Sequence, residues 1–452
     1  MDIRVKNSFF ARYAKALTDA GFEEFAAKNF SRENFGSSND RSFVSLESTP
    51  SIEIVDVLEA EATALQDGSF LIELNNLRLL ANSVTTPVVK SLSAFVTQLE
   101  KLMSKNKIDG WLYSVSDGKA LLPFLVAQIG HASYCSHTKT PAHAFVKLHA
   151  NIPEDIQGRR SHNSTEVRKL RFYSKDIRAK NVAEILAKKY FFIETHSLKE
   201  QYLSKMEDYN KLVAKMGEQF LVSGYSQSSY HNCKVYNNVR MINDEDTSIP
   251  SSIEQSLSIF IETKTKNMKP TDLMDSWAMD NMEEKISKNE GHIEDYPIPF
   301  HPFIRMFNLE NHSNEWVLSS YLNEYKYDKS LSKKLILPDD HQDLIDILVN
   351  DSDVILEDIV QGKTGGTTIL CRGPAGLGKT LTAQVYSETI GKPIYEVNAG
   401  QLGLNPDNIE SNLEKILNRA EKWGAITVIN EADVFIKKRG DTLIDNAIVA
   451  SF

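Results

Sequence analysis

Thr367-Thr-Ile-Leu-Cys-Arg-Gly-Pro-Ala-Gly-Leu-Gly-Lys-Thr380 is the stretch on which the reading of this chain turns. Thr367 to Arg372 is a short β-branched run after two glycines and reads as a buried strand. The loop that follows has the GxxxxGK[ST] spacing, and Leu381 to Ile390 has the make-up of a helix. Strand, glycine-rich loop and helix in that order form a phosphate-binding arrangement. A triphosphate needs many hydrogen-bond donors at close range. Gly373, Gly376 and Gly378 let successive backbone N–H groups turn inward, where side chains would block the approach. The helix contributes the positive end of its dipole. Lys379 brings a full charge to the β- and γ-phosphates, and the Thr380 hydroxyl suits Mg²⁺. The binding set is therefore Gly373, Pro374, Ala375, Gly376, Leu377, Gly378, Lys379, Thr380 and Leu381, and the cofactors are ATP and Mg²⁺.

Working outward, Pro393 to Val397 reads as a second strand. Pro406 to Trp423 reads as a helix with Asn405 as N-cap and Ile409, Leu413, Ile416 and Ala420 as its inner face. Ala425-Ile-Thr-Val-Ile-Asn-Glu431 is an apolar run ending in polar residues, the pattern of a buried parallel strand. The alternation β-α-β-α-β calls for a parallel sheet with helical crossovers.

Gly373-Pro-Ala-Gly-Leu-Gly-Lys-Thr-Leu-Thr-Ala383 together with Ile429-Asn-Glu-Ala-Asp-Val-Phe435 resembles the AAA family of ATPases. The resemblance implies an α/β P-loop NTPase core that forms rings and uses ATP to remodel a macromolecule. It makes Glu431 the catalytic base for the attacking water, with Lys379 catalytic beside it. Thr380 and Asn430 are the metal residues, and a ring neighbour supplies an arginine. Three departures stand out. The family's acidic pair is Asp-Glu, but here it is Asn430-Glu431; Asn430 accepts through its carbonyl and carries no charge, which should weaken Mg²⁺ placement and slow hydrolysis. Gln401 to Pro406 lacks the aromatic residue of peptide-threading members. The family's sensor strand, arginine finger and lid would come after Phe452, so the expectation is an incomplete parallel sheet and little hydrolysis by these residues alone. The alternative reading is a nucleotide-gated scaffold.

The rest of the chain is less specific. Its 452 residues call for roughly two to four domains. Residues 1–296 are expected to be an α+β region, divisible into two subdomains, that recognises a substrate or protein partner. Residues 297–336, opening with Pro297-Ile-Pro-Phe-His-Pro302, are expected to be a linker, and 337–452 the ATPase core. A helix is expected through Val5, Phe9, Tyr13 and Leu17, a second from Pro87, and a long one from Leu198 to Leu221. Gly110 to Ile152 reads as strands, and more strands follow Tyr225. Lys plus Arg number 51 against 61 for Asp plus Glu, a net charge of -10 that disfavours wholesale nucleic-acid or anionic-membrane binding. Cys135, Cys233 and Cys371 are odd in number and far apart, which fits a reducing cytoplasm.

Three further clusters gather ionisable residues. His131, Cys135, His137, His143 and His149 are crowded, but their irregular spacing favours ordinary histidines over a zinc site. Arg159, Arg160, Arg168, Lys169, Arg171, Lys175, Arg178, Lys180, Lys188 and Lys189 read as a solvated helical face, with a nucleic-acid surface as the less favoured alternative. Asp244, Glu245 and Asp246 read as a solvent-facing loop.

Overall fold

A computed structural model describes residues 2–30, 41–46, 49–83, 86–105, 110–115, 120–134, 139–152, 165–227, 233–244, 299–336, 338, 368–374, 376–402 and 406–432. At the N-terminus, strand β1 (Asp2–Lys6) pairs antiparallel with β2 (Arg41–Ser45). Ile3 and Val5 alternate inward with Arg4 exposed, the two-residue period of a half-buried strand. Val5 thus belongs to a strand, and the first helix starts later than the four-residue spacing predicts, at α1 (Phe10–Asp19). Helices α2 (Glu23–Asn29), α3 (Ile52–Ala64) and α4 (Gly68–Ala81) complete a core around Tyr13, Leu17, Phe70 and Leu74. Asp67, fully buried, caps α4 and accepts a 3.1 Å hydrogen bond from the Tyr13 hydroxyl. Burial, and then the Asp67 charge, raise the Tyr13 hydroxyl well above its usual range.

An antiparallel sheet of order β6-β5-β4-β3-β7 comes next: β3 (Trp111–Ser114), β4 (Leu122–Ala132), β5 (His143–Asn151), β6 (Thr165–Tyr173) and β7 (Phe191–Ile193). Helix α5 is Leu92–Lys105, five residues beyond the predicted start at Pro87. The reason is local: the Ser91 hydroxyl accepts the Ala94 N–H at 3.1 Å, while the Val89 N–H is bonded to the Lys180 carbonyl at 2.8 Å. After the short helices α6 (Ser174–Ile177) and α7 (Val182–Ala187), α8 runs from His196 to Val213. Its Leu198, Tyr202, Met206, Tyr209 and Val213 are all buried in the chain's own core. It stops well before Leu221, because Gly217 turns the chain with φ 81° and bonds to the Asn243 carbonyl.

The predicted linker contains three strands. Phe303–Asn308 (β10), Ser313–Leu318 (β11) and Leu322–Glu324 (β12) share a sheet with β8 (Gln219–Gln227) and β9 (Cys233–Asn243). β8 pairs with β9, β9 with β10, β10 with β11, and β11 returns to β8 through Trp316 and Val317, closing a small barrel. The end of the proline-rich stretch, 299–302, is pinned: Asn151 N–H bonds the Pro299 carbonyl at 2.7 Å, and the Tyr202 hydroxyl donates to the Phe300 carbonyl. Glu315 is buried in the barrel wall. Burial opposes its charge, but hydrogen bonds from Ser226, Tyr236 and Asn311 and the Lys234 ammonium prevail and hold its carboxyl below the usual range.

The C-terminal part contains α9 (Lys379–Ile390), β13 (Ile394–Asn398), α10 (Ala399–Leu402), α11 (Pro406–Trp423) and β14 (Ile426–Asn430). β13 and β14 are parallel, in register from Ile394↔Ile426 to Asn398↔Asn430. Two strand expectations need correction. Residues 368–374 form no strand and are exposed, with Ile369 at 45% and Leu370 at 70%. β14 is half-buried rather than buried. The cause is shared: among the described residues only β13 and β14 exchange ladder hydrogen bonds here, so neither segment is covered on both sides. This part packs on the barrel through Phe307 and Ile242, which join Tyr395, Val397 and Trp423 in one cluster. Asp244, predicted to face solvent, is buried and accepts the Trp423 indole N–H at 3.0 Å. Glu245 and Asp246 lie outside the described residues.

Candidate phosphate-binding site

Helix α9 starts at Lys379, directly after Gly378. Gly376 and Gly378 have φ of 83° and 78°, the left-handed region that costs residues with a Cβ. A Cβ at either position would meet nothing within 4 Å, so backbone conformation and not crowding selects glycine. Both Cβ directions point into open space. The Lys379 ammonium folds back over the loop and donates to the Gly373 carbonyl at 2.9 Å and the Pro374 carbonyl at 2.8 Å. Thr380 follows on the first turn, and its hydroxyl donates to Asn430 Oδ1 at 3.2 Å. Asn430 is the last residue of β14, and Glu431 behind it turns out of the strand with φ 58°.

The first turn of the helix that opens with Lys379 therefore touches, through Thr380, the residue before Glu431 at the carboxyl end of a parallel strand. This is where open α/β sheets bind ligands. The Leu377 and Leu381 side chains are 68% and 55% exposed, so neither is packed into the cluster. Ala375 and Asn405 lie outside the described residues. Asn398, which no motif marks, stands opposite Asn430 in the ladder, and its N–H bonds Gln401 Oε1 at 3.0 Å. Its only signal was its place at a strand end. The far end of α9 is also anchored. Glu388 accepts from the Tyr325 hydroxyl and, at 2.9 Å, from the Asp328 N–H, on the segment that leaves the barrel.

The donor set fits a nucleotide triphosphate with a divalent cation. It comprises a lysine, a threonine hydroxyl, an amide oxygen, a carboxylate and an open glycine loop at a helix start. Residues 369–451 match the family described as AAA, the ATPase family associated with various cellular activities. This segment is an AAA-type ATPase domain. The match gives the segment the P-loop NTPase fold and an ATPase-type activity in general. AAA proteins commonly use nucleotide and commonly oligomerise. Neither the curated proteins nor the solved structures yield a match to the chain. No helix among the described residues is long and apolar enough to cross a membrane.

The remaining clusters come apart in the fold. His143 and His149 share one face of β5, while His131 lies opposite Ala144, on the other face of the sheet. Cys135 and His137 are outside the described residues, and among those described no three metal-ligating side chains stand together. His149 is buried, which together with the Lys147 charge lowers its pKa to about 4. Arg168, Lys169 and Arg171 lie on β6 and not on a helical face as predicted; Arg159 and Arg160 are outside the described residues.

Proposed function

We propose that the AAA segment binds ATP with Mg²⁺ and that the intact protein hydrolyses it to act on a macromolecular partner. The observation that carries this is the Thr380–Asn430 contact of 3.2 Å, which brings the loop's cation residue to the strand end that carries Glu431. Lys379 and the loop amides would hold the phosphates. Thr380 and Asn430 would hold the cation, whose charge would stabilise phosphates during transfer. Lys379 would release the Gly373 and Pro374 carbonyls to do so. Glu431 would orient the attacking water and take its proton. Oligomerisation into a ring, and partner recognition by residues 1–296, belong to the same proposal.

Titration calorimetry with ATP, with and without Mg²⁺, tests it. Magnesium-dependent uptake that Lys379→Ala weakens by about 2–3 kcal/mol is the expected result. Uptake unchanged in Lys379→Ala would defeat the reading. Asn430 favours a second reading, in which nucleotide orders an assembly and turnover is negligible, because an amide puts no negative charge beside the cation. Asn430→Asp separates the two: the scaffold reading expects turnover to appear only in the variant, whereas brisk turnover with Asn430 in place removes it.

A further inference from the structure

Three polar side chains of α9 stand at four-residue spacing, and each reaches a different element. Thr380, in the first turn, donates to Asn430 Oδ1 of β14 at 3.2 Å. Gln384, one turn on, donates from Nε2 to Glu396 Oε1 of β13 at 2.6 Å. Glu388, in the last turn, accepts from the Tyr325 hydroxyl and, at 2.9 Å, from the Asp328 N–H. Residues four apart stack along one side of a helix. The three contacts therefore form a line from the phosphate loop to the segment that leaves the barrel. The first two land on one face of the parallel ladder, since Glu396 is two residues from Asn398 and Asn398 stands opposite Asn430.

Glu388 is the unusual member. A carboxylate in the last turn stands at the negative end of the helix dipole, where a negative charge is unfavourable. Two donors from the barrel exit offset this. The donors are themselves fixed. Tyr325 follows directly on β12, its ring centroid lies 5.0 Å from that of Tyr327, and the Arg240 side chain of β9 faces its hydroxyl. Asp328 caps the 3₁₀ turn Lys329–Lys334 by accepting the Ser330 N–H at 3.0 Å. Gly391, which ends α9 with φ 73°, comes up against the Tyr327 ring, 3.8 Å from where a Cβ would stand. The last turn of α9 is thus held from the barrel side.

We propose that Glu388 is a positioning residue for the phosphate site, through which the barrel sets where α9 places Thr380 against Asn430. The proposal rests on the reading of that site as one for ATP with Mg²⁺. Eight residues of helix, about 12 Å along the axis, separate Glu388 from Thr380, too far for Glu388 to touch a ligand at the loop. Its effect has to travel through α9. The loop and Lys379 are continuous with the start of α9 and move with it. The Thr380–Asn430 pair instead bridges α9 and β14, so a shift of the helix alters it first. That pair is the one read as holding the cation. Releasing Glu388 should therefore weaken the magnesium-dependent part of ATP binding and spare the remainder.

Titration calorimetry of the full chain with ATP, with and without Mg²⁺, is the test. In Glu388→Ala the affinity for ATP with Mg²⁺ should fall about ten-fold, the scale of hydrogen bonds to a charged group. The affinity for ATP without Mg²⁺ should stay as it was. Glu388→Gln keeps one acceptor oxygen and should recover part of the loss. A purely structural role would lower both affinities alike, and that result overturns the proposal, as does an unchanged affinity with Mg²⁺. If Glu388→Ala fails to fold, Tyr325→Phe decides: it removes one hydroxyl, and a magnesium-selective loss of about three-fold is expected. No ATP uptake by the unaltered chain would remove the reading of the site and this proposal with it. Uptake by the unaltered chain with no magnesium-selective change in the variants would remove the proposal alone.

Discussion

The phosphate loop and the joint that seats the ATPase segment on the barrel are built on opposite terms. Residues 368–374 are exposed, and Gly376 and Gly378 are shaped by their own dihedrals with little packed against them. The joint is buried: Phe307 packs on Tyr395 and Trp423 with ring centroids 5.6 and 4.9 Å away, and Trp423 also bonds Asp244. Gly217 belongs to it, since a Cβ there would come 3.0 Å from the Trp423 backbone. Little packs against the loop, whereas the joint is buried and holds α11 and β13 against the barrel. Function and stability should therefore separate cleanly between the two regions under mutation.

The largest effect is expected at the joint. Trp423→Ala removes a buried indole and should cost about 3–5 kcal/mol in urea unfolding, and should loosen amide-exchange protection on both β13 and the barrel strands. If only β13 loosens, the two are not one cooperative unit. Lys379→Ala is the converse. It should weaken ATP binding by about 2–3 kcal/mol, the scale of a charge-assisted contact, with the melting temperature of the ligand-free chain unchanged. A fall in that temperature would show that the lysine's bonds to Gly373 and Pro374 carry structure.

His149 sharpens the comparison from a third region. Its folded pKa of about 4 lies below the ordinary histidine value, so the unfolded chain takes up the proton first as pH falls. Its stabilising effect is complete above about pH 6.5, is lost between there and pH 4, and does not change further below. The loss at pH 4.5 should be about 2 kcal/mol. Urea midpoints at pH 7 and 4.5 should show that slope flattened in His149→Gln, without change in nucleotide binding at pH 7. The smallest effect is expected at Gly378→Ala. Forcing a Cβ into the left-handed region costs about 1 kcal/mol, so melting should shift by a few degrees while ATP affinity falls by more than that shift predicts.

Legibility followed the range of the interactions. The helix read over Pro406–Trp423 is α11 residue for residue, because its apolar spacing and a proline start are local signals. Lys379 and Thr380 stand out by the loop's spacing and Asn430 and Glu431 by the resemblance of their strand, and the fold puts the Thr380 hydroxyl 3.2 Å from Asn430. The barrel was invisible. Its β9 and β10 pair across some sixty residues of intervening chain (Asn243↔Met306), and no local pattern announces such a partner. Asp244 was misread for the same reason, since its buried partner Trp423 lies 179 residues away.

By itself the sequence determined a glycine-rich loop with its lysine and threonine, and the family that its segment matches, because backbone freedom and charge are properties of the residues present. Only the tertiary structure decided that 303–324 closes a barrel, that the barrel carries the ATPase segment on an aromatic joint, and that Thr380, Gln384 and Glu388 reach three different elements. Strand pairing and burial depend on which distant segment supplies the other half of each contact, and a one-dimensional pattern does not record that choice.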